Sequence, residues 1–222
     1  MIISEQKPAE EILEMLADYD SLFIVGCGEC ATECQTGGEY EVEEMSQRLT
    51  DAGKTVTGTV VPDVTCQVLD VGRQLRKNKK AVAAADAVLV LACGGGAQAV
   101  AESVDKPVVS GVNTLFLGDT IRHGQFYEWC SACGDCVLDE FGGLCPITRC
   151  PKGQMHGPCG GTTDDGKCEV NPDNDCVWVL IQERLDEIGA GMKVVAGAHH
   201  EARDYSIHQR PASRIFEPRR TK

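Results

Sequence analysis

Ala87-Val-Leu-Val-Leu-Ala92, followed at once by Cys93-Gly94-Gly95-Gly96, decides the fold. An unbroken apolar run closed by a glycine cluster is the pattern of a strand buried on both faces. Such strands belong to parallel sheets covered by helices. Ser21-Leu-Phe-Ile-Val25 is a second run of this kind, and it too leads into a cysteine between glycines, Gly26-Cys27-Gly28. Residues 54–61 alternate β-branched side chains until Pro62 stops them, and residues 107–112 (PVVSGV) give a further strand. Helical spacing fills the gaps. Residues 9–18 place Ile12, Leu13 and Leu16 on one side, and residues 39–52 form an acidic amphipathic helix that Gly53 can end. Residues 66–77 offer Val68, Leu69, Val71 and Leu75 for packing, and residues 97–103 complete the set. Strands alternating with helices predict an α/β domain with a Rossmann-like parallel sheet. Cys27, Cys66 and Cys93 then follow the first, second and third strands, on the edge where open α/β sheets place ligands.

Near residue 126 the character changes. Periodicity fades, and eight of the chain's thirteen cysteines fall between residues 126 and 176. Val177–Ile188 (VWVLIQERLDEI) returns to an amphipathic helix, expected to pack Val177, Leu180, Ile181 and Leu185 against the cysteine-rich segment. The expected organisation is an α/β domain over 1–125, a cysteine-rich module with its closing helix over 126–189, and an extended arm over 190–222. Aromatic residues make up only 5% of the chain, so the module is expected to draw much of its order from metal.

Charge and compartment narrow the chemistry. The net charge is −13, with twelve acidic residues against Lys7 and Arg48 in positions 1–50. An acidic body argues against nucleic acid, whose partners carry a basic footprint. The last twenty residues reverse the balance, with six basic residues against Asp204 and Glu217. No secretory pattern opens the sequence, and no apolar run approaches the roughly 18 residues that cross a bilayer. A cytoplasmic location is expected. In that reducing compartment cysteines spaced this way point to metal or redox chemistry rather than disulfides.

The thiols form two groups. Cys27-x2-Cys30-x3-Cys34 supplies three ligands in a glycine-rich loop, and a fourth must come from Cys93 or Cys66. Cys93 is the stronger candidate, because Gly94, Gly95 and Gly96 leave room for a bulky group. The second group opens Cys130-x2-Cys133-x2-Cys136, followed by Cys145-Pro146, which is close to the bacterial ferredoxin run with eight residues in place of three before the Cys-Pro. Cys150, Cys159, Cys168 and Cys176 continue it. Eight thiolates are the complement of two four-cysteine sites, so [4Fe–4S] clusters, three in all, are expected, with zinc the alternative at any of them. Spacing leaves the partition of the eight open. A dinucleotide site is the rival for the first loops, but residues 26–31 read GCGECA and 94–99 read GGGAQA, and neither is G-x-G-x-x-G. His123 and His156 lie in loops, and His199, His200 and His208 lie in the arm; all read as surface residues. No Ser/His/Asp set or paired-carboxylate site stands out, so no catalytic group for an organic substrate is expected.

The motifs of the second half resemble a known family. Trp129-Cys-x2-Cys-Gly-x-Cys136-Val-Leu, Gly142-Gly-x-Cys-Pro-x-Thr-Arg-Cys150, Gly157-Pro-Cys-Gly-Gly161, Gly166-Lys-Cys-Glu169 and Cys176-x-Trp178 are similar to the MetV-type iron–sulfur subunit of methylenetetrahydrofolate reductase, found in acetogens and related anaerobes. Val25-Gly-Cys-Gly-x-Cys-x3-Cys34, Leu91-Ala-Cys-Gly94 and Asn113-Thr114 fit the same family, so the resemblance spans about residues 20–180. Val64-Thr65 before Cys66 depart from the arginine and glutamine expected there, which leaves the role of Cys66 in question. The resemblance implies a cluster-bearing, non-catalytic subunit. Its partner is a flavin-containing subunit that reduces methylenetetrahydrofolate to methyltetrahydrofolate in one-carbon metabolism of the Wood–Ljungdahl type. Ferredoxin or a heterodisulfide-reductase-like module is the implied electron donor, and the cysteines named above are the implied ligands.

Overall fold

The chain opens with β1 (Ile2–Gln6), α1 (Ala9–Met15) and β2 (Ser21–Val25) in a computed structural model that describes residues 1–122 and 124–190. There follow α2 (Cys30–Glu33), α3 (Glu39–Asp51), β3 (Thr55–Val60), α4 (Val68–Lys77), α5 (Lys79–Ala84), β4 (Ala87–Val90), α6 (Gly94–Ala101) and β5 (Val108–Ser110). β6 (Val112–Leu117), β7 (Asp119–Arg122) and β8 (Gln125–Tyr127) close the first half; α7 (Pro146–Arg149) and α8 (Val177–Glu187) belong to the second. The chain divides into two units, Met1–Glu128 and the residues from Trp129 onward. The arm expected beyond residue 190, with His199, His200 and His208, lies outside the described residues, as does His123. Among the described residues no helix is long and apolar enough to cross a membrane.

The first unit is built on a parallel four-stranded sheet in the order β3-β2-β4-β5. Strand alternation explains why both faces are covered. Phe23 and Val25 of β2 point to one side with Val88 and Val90 of β4, where they meet Val71 and Leu75 of α4 and Val100 of α6. Leu22 and Ile24 point to the other with Leu89, against Ile12 and Leu16 at α1 and Val42, Met45 and Leu49 of α3. All four residues of β4 are buried, as expected for a central strand of such a sheet. Numbered along the sheet's own strands, this order is 2-1-3-4, the flavodoxin-type arrangement of a doubly wound sheet. Its switch point falls between the first and third strands, here β2 and β4.

Three local expectations are corrected. α4 buries Val71, Gly72 and Leu75, whereas Leu69 is 83% exposed and Val68 is 42% exposed, because the helix turns its first residues outward beyond the sheet edge. α6 begins at Gly94 rather than residue 97. Glycine is a poor helix former, but tertiary packing overrides propensity here: a Cβ on Gly96 would stand 2.9 Å from the Ala92 Cβ, so only glycine lets the turn sit this close. β1 was not expected at all. It pairs antiparallel with β6, whose partner residues lie more than a hundred positions away, such as Ile2 with Leu117.

The second unit has few regular elements and one small apolar cluster. Phe141, Trp178, Ile181 and Leu185 are its buried centre, joined by Val137, Val177 and Cys176. The Phe141 and Trp178 rings meet edge to face, with centroids 5.4 Å apart at 86°. α8 therefore buries Val177, Trp178, Ile181 and Leu185, and Leu180 sits on the flank of that face rather than within it.

Candidate cysteine sites

In the first unit the carboxyl ends of β2, β3 and β4 bring three loops together, backbone to backbone. The N–H of Gly26 donates to the Val60 carbonyl at 2.9 Å, and that of Gly28 donates to the Pro62 carbonyl at 2.8 Å. The buried Thr65 hydroxyl donates to the Gly26 carbonyl at 2.6 Å. Gly28 favours this approach, because a Cβ there would lie a tight 3.2 Å from the Asp63 Cα and carbonyl oxygen. Gly37, at the far end of the cysteine loop, lies so close to the Leu91 carbonyl that a Cβ would collide with it.

These loops carry thiols. Cys66 and Cys93 flank Gly95, whose Cβ position is 3.7 Å from the Cys66 Cβ and 3.9 Å from the Cys93 Sγ. Cys27 lies on the β3 loop, its Sγ 4.0 Å from the Asp63 carbonyl oxygen. The Cys66 residue is exposed, yet its thiol end is partly desolvated. That desolvation, then the nearby Cys93 and Cys27 thiolates, push the Cys66 thiol above its ordinary value, and Cys30 adds to the effect. Cys30 and Cys34, one turn apart at α2, both meet the backbone of Ile2. The Ile2 N–H donates to Cys30 Sγ at 3.4 Å, and Cys34 Sγ donates to the Ile2 carbonyl at 3.7 Å.

The second unit separates its eight thiols into two settings. Cys150, Cys159, Cys168 and Cys176 line one cavity, together with Trp178 and Lys152. Three of the four sulfurs already accept hydrogen bonds. The Gln154 N–H donates to Cys150 at 3.4 Å, the Thr162 hydroxyl to Cys176 at 3.2 Å, and the Lys152 ammonium to Cys159 at 3.6 Å. The loop carrying Cys168 is closed by its own backbone: Cys168 N–H donates to Asn174 and Cys176 N–H donates to Gly166, at 3.0 and 2.8 Å. Cys159 is held below its ordinary value first by the Gly161 N–H and also by Lys152, which is itself ion-paired with Glu169. Trp178 lines the cavity, and its buried indole Nε1 has no hydrogen-bond partner among the described residues.

Cys130, Cys133, Cys136 and Cys145 belong to the other setting. Ala132 at φ 53° and Gly134 at φ 82° coil the loop, so that the Ala132 N–H donates to Cys130 Sγ at 3.4 Å. The Thr148 hydroxyl bridges from Cys145 to Ser131, at 3.7 and 3.2 Å, and the Arg149 guanidinium lies 5.6 Å from the centre of the Trp129 ring. Burial lowers Arg149 from its ordinary value, and Cys145 partly offsets this. Cys145 is thereby tied to the loop of Cys130–Cys136. In two-cluster ferredoxins the Cys-Pro cysteine serves the other cluster instead.

Sulfur donor sets of four, N–H and O–H groups aimed at sulfur, and a buried donor lacking an acceptor all suit thiolate-held metal groups, since thiolates and sulfides accept hydrogen bonds. Among the described residues no three or more His, Cys, Asp or Glu side chains converge closely enough to hold a lone metal ion. His156 is exposed. Sequence reasoning missed Lys152, Thr162 and the Ile2 amide, none of which carries a motif; Glu169 entered only as part of Gly166-Lys-Cys-Glu169. Trp178 entered only as part of Cys176-x-Trp178.

Comparison with known proteins adds little for the first unit. No curated protein matches the chain. The crystal structure of a LacI family transcriptional regulator from Arthrobacter sp. FB24, in complex with lactose, is similar over 45% of this chain and 40% of that one, at 16% identity and a TM-score of 0.31. The chain thus spans less than half of that regulator. Residues 109–206, less than half of the chain, are similar to the family model described as "Methylene-tetrahydrofolate reductase C terminal", and this stretch holds the cysteine ladder.

Proposed function

We propose that the chain is the iron–sulfur electron-transfer subunit of a methylenetetrahydrofolate reductase complex. In this reading it is not itself catalytic; it passes electrons to the flavin of a partner subunit that reduces methylenetetrahydrofolate to methyltetrahydrofolate. The observation that carries the reading is the cavity lined by Cys150, Cys159, Cys168 and Cys176 within the family-matched segment, with the unpartnered Trp178 N–H in its wall.

A [4Fe–4S] cluster supplies reversible one-electron exchange when bound. Cys150, Cys159, Cys168 and Cys176 would hold one, and Cys130, Cys133, Cys136 and Cys145 a second. The remaining roles belong to the chain. Trp178 lines the cavity and would offer its indole N–H to a bound group. Lys152 places a positive charge against Cys159, which favours the thiolate needed for ligation. The Gln154 amide and Thr162 hydroxyl orient Cys150 and Cys176. The donor upstream is ferredoxin or a heterodisulfide-reductase-like module, in the cytoplasm.

Anaerobic purification of the full chain, with iron, sulfide and zinc analysis and EPR of the dithionite-reduced protein, tests the reading. Iron and sulfide in cluster stoichiometry, with EPR signals on reduction, are expected. Near-zero iron with stoichiometric zinc would convert the chain into a zinc-stabilised assembly platform and overturn the electron-transfer role. Co-purification with the flavin subunit tests the partnership.

A further inference from the structure

We infer that the exposed face of α4, continued by the first turn of α5, is the docking surface for an acidic electron-carrier protein. The carrier's role rests on the proposed function. The surface itself rests on charge and exposure in the first unit, outside the family-matched residues.

Residues Met1–Glu128 carry ten basic and twenty acidic side chains, and five of the ten basic ones fall between Arg73 and Lys80. Asp70 is the one carboxylate between residues 66 and 85, so a segment of net charge +4 stands on a unit of net charge −10. The helix period gathers these charges. Leu69, Arg73, Arg76 and Lys77 recur at i, i+4, i+7 and i+8 and are all exposed, while Val71, Gly72 and Leu75 turn inward. Arg73 pairs with Asp70 at 3.6 Å, whereas Arg76, Lys77, Lys79 and Lys80 enter no salt bridge among the described residues. Arg76 and Lys77 suit the carboxyl end of α4, as cations do at a helix C-terminus. Lys79 and Lys80 have no such reason. They lie exposed in the first turn of α5, where the helix dipole disfavours positive charge. Folding does not account for them; an anionic partner does.

The apolar end of the face decides the kind of anion. Leu69 is 83% exposed and Val68 is 42% exposed, at the head of the basic stripe and just beyond the exposed Cys66. Apolar contact residues bordered by charge are the pattern of a protein–protein surface: the charges steer the encounter and the apolar spot holds it. Single-stranded nucleic acid is bound on aromatic platforms, and residues 66–85 contain no aromatic side chain. A nucleic-acid duplex or an anionic membrane extends past the patch and meets the unit's net negative charge, whereas a protein contact of ordinary size covers the patch alone. A carrier seated on Leu69 stands beside the thiol-bearing loops of the first unit, where a protein that delivers electrons to this chain has reason to bind.

The test uses the full chain, purified anaerobically with its iron content measured, and an acidic two-cluster ferredoxin as the probe. Isothermal titration calorimetry reads the affinity at low and at physiological salt, with far-UV circular dichroism as a check of folding. The double variant Lys77→Glu, Lys80→Glu should weaken binding about tenfold or more at low salt and flatten its salt dependence. Leu69→Ala should weaken binding several-fold and keep the parent's salt dependence. Arg48→Glu, on α3 across the sheet, should bind as the parent does. Unchanged binding in the folded double variant overturns the surface, and so does equal weakening by Arg48→Glu and a single Lys80→Glu. An iron-loaded parent that binds no ferredoxin overturns the partner class. Capture of single-stranded DNA or phosphatidylserine vesicles in its place, or self-association that the double variant loses, then names the occupant. A parent without iron overturns the proposed function, and the carrier's role falls with it; iron content and binding thus separate the two failures.

Discussion

Replacing Trp178 by Phe separates a metal-holding cavity from an ordinary apolar wall. Trp178 is 5% exposed, and its ring packs edge to face on the fully buried Phe141. Phe keeps an aromatic ring in that position but removes a buried side-chain N–H that has no acceptor among the described residues. A buried donor left unsatisfied costs about 1–3 kcal/mol. In the metal-free chain the substitution therefore removes a penalty, which offsets much of the packing lost with the larger ring. If a cluster fills the cavity as proposed and accepts from the indole, the substitution removes that hydrogen bond, and the loaded variant loses stability relative to its own metal-free form by a similar amount. The bond also strengthens when the sulfurs gain negative charge. If its two oxidation states differ by about 1 kcal/mol, the reduction potential falls by roughly 40 mV for a one-electron couple. EPR-monitored potentiometric titration of parent and Trp178→Phe reads this shift. Trp129→Phe is the control, since Trp129 lies over Arg149 and does not line this cavity. A potential unchanged to within about 10 mV, or one that rises, would refute the assignment of the indole N–H to the cluster.

Charge beside Cys159 acts on the same centre with opposite signs. Lys152→Gln removes a cation 3.6 Å from the sulfur and lowers the potential, while Glu169→Gln removes the carboxylate paired with that cation and raises it; parallel titrations check both directions. Gly37→Ala drives a methyl group into the Leu91 carbonyl two residues before Cys93, and it should cost about 1–3 kcal/mol of stability, measured by urea denaturation. Asp86 accepts hydrogen bonds from the Ser21 hydroxyl and the Ser21 and Asp20 amides, which hold it below the ordinary carboxylate value. A depressed carboxylate contributes stability above its unfolded pKa of about 3.9 and loses it as pH falls through the folded value. Asp86→Asn should thus lower the melting temperature at neutral pH, by a margin that closes in acid, as thermal scans across pH will show. If the second unit holds metal as proposed, chelation should unfold that unit first; both tryptophans lie there, so their emission follows that unit alone while far-UV dichroism retains the first unit's signal.

How far the fold was legible depends on where each element's information lies. β2 and β4 declare themselves because every residue between Leu22 and Val25, and between Ala87 and Val90, is buried from both faces, so hydrophobicity alone marks them. α3 is legible for the complementary reason: one buried stripe, Val42, Met45 and Leu49, stands out against an acidic surface. β1 carries no such signal. Its sequence is IISEQ, only Ile3 and Ser4 are buried, and its partner is β6 at the other end of the unit, so the pairing is decided by chain closure rather than by local pattern. Leu69 misleads in the opposite sense. It fits the helical period of α4 but lies past the edge of the sheet, where nothing in the first unit covers it.

The cysteines show the same division between what a pattern holds and what only topology supplies. Placing Cys27, Cys66 and Cys93 at strand ends needs nothing beyond the alternation of strands and helices. What makes their loops neighbours is strand order, because β2 and β4 are adjacent in the sheet and β3 pairs with β2. In the second unit no such scaffold exists, and the ladder's spacing is uninformative for a physical reason: the loops have little structure apart from what the cysteines hold. Two of them, Cys150 and Cys176, pack directly with the small cluster around Phe141 and Trp178. Core and ligand set are therefore one object there, whereas the first unit has cores on both faces of its sheet that owe nothing to metal. That difference assigns the two units different consequences of metal loss. If the cysteines hold metal as proposed, the first unit should keep its fold when metal is removed and the second should lose it, since about seven buried side chains cannot offset the conformational entropy of a module with so little regular structure.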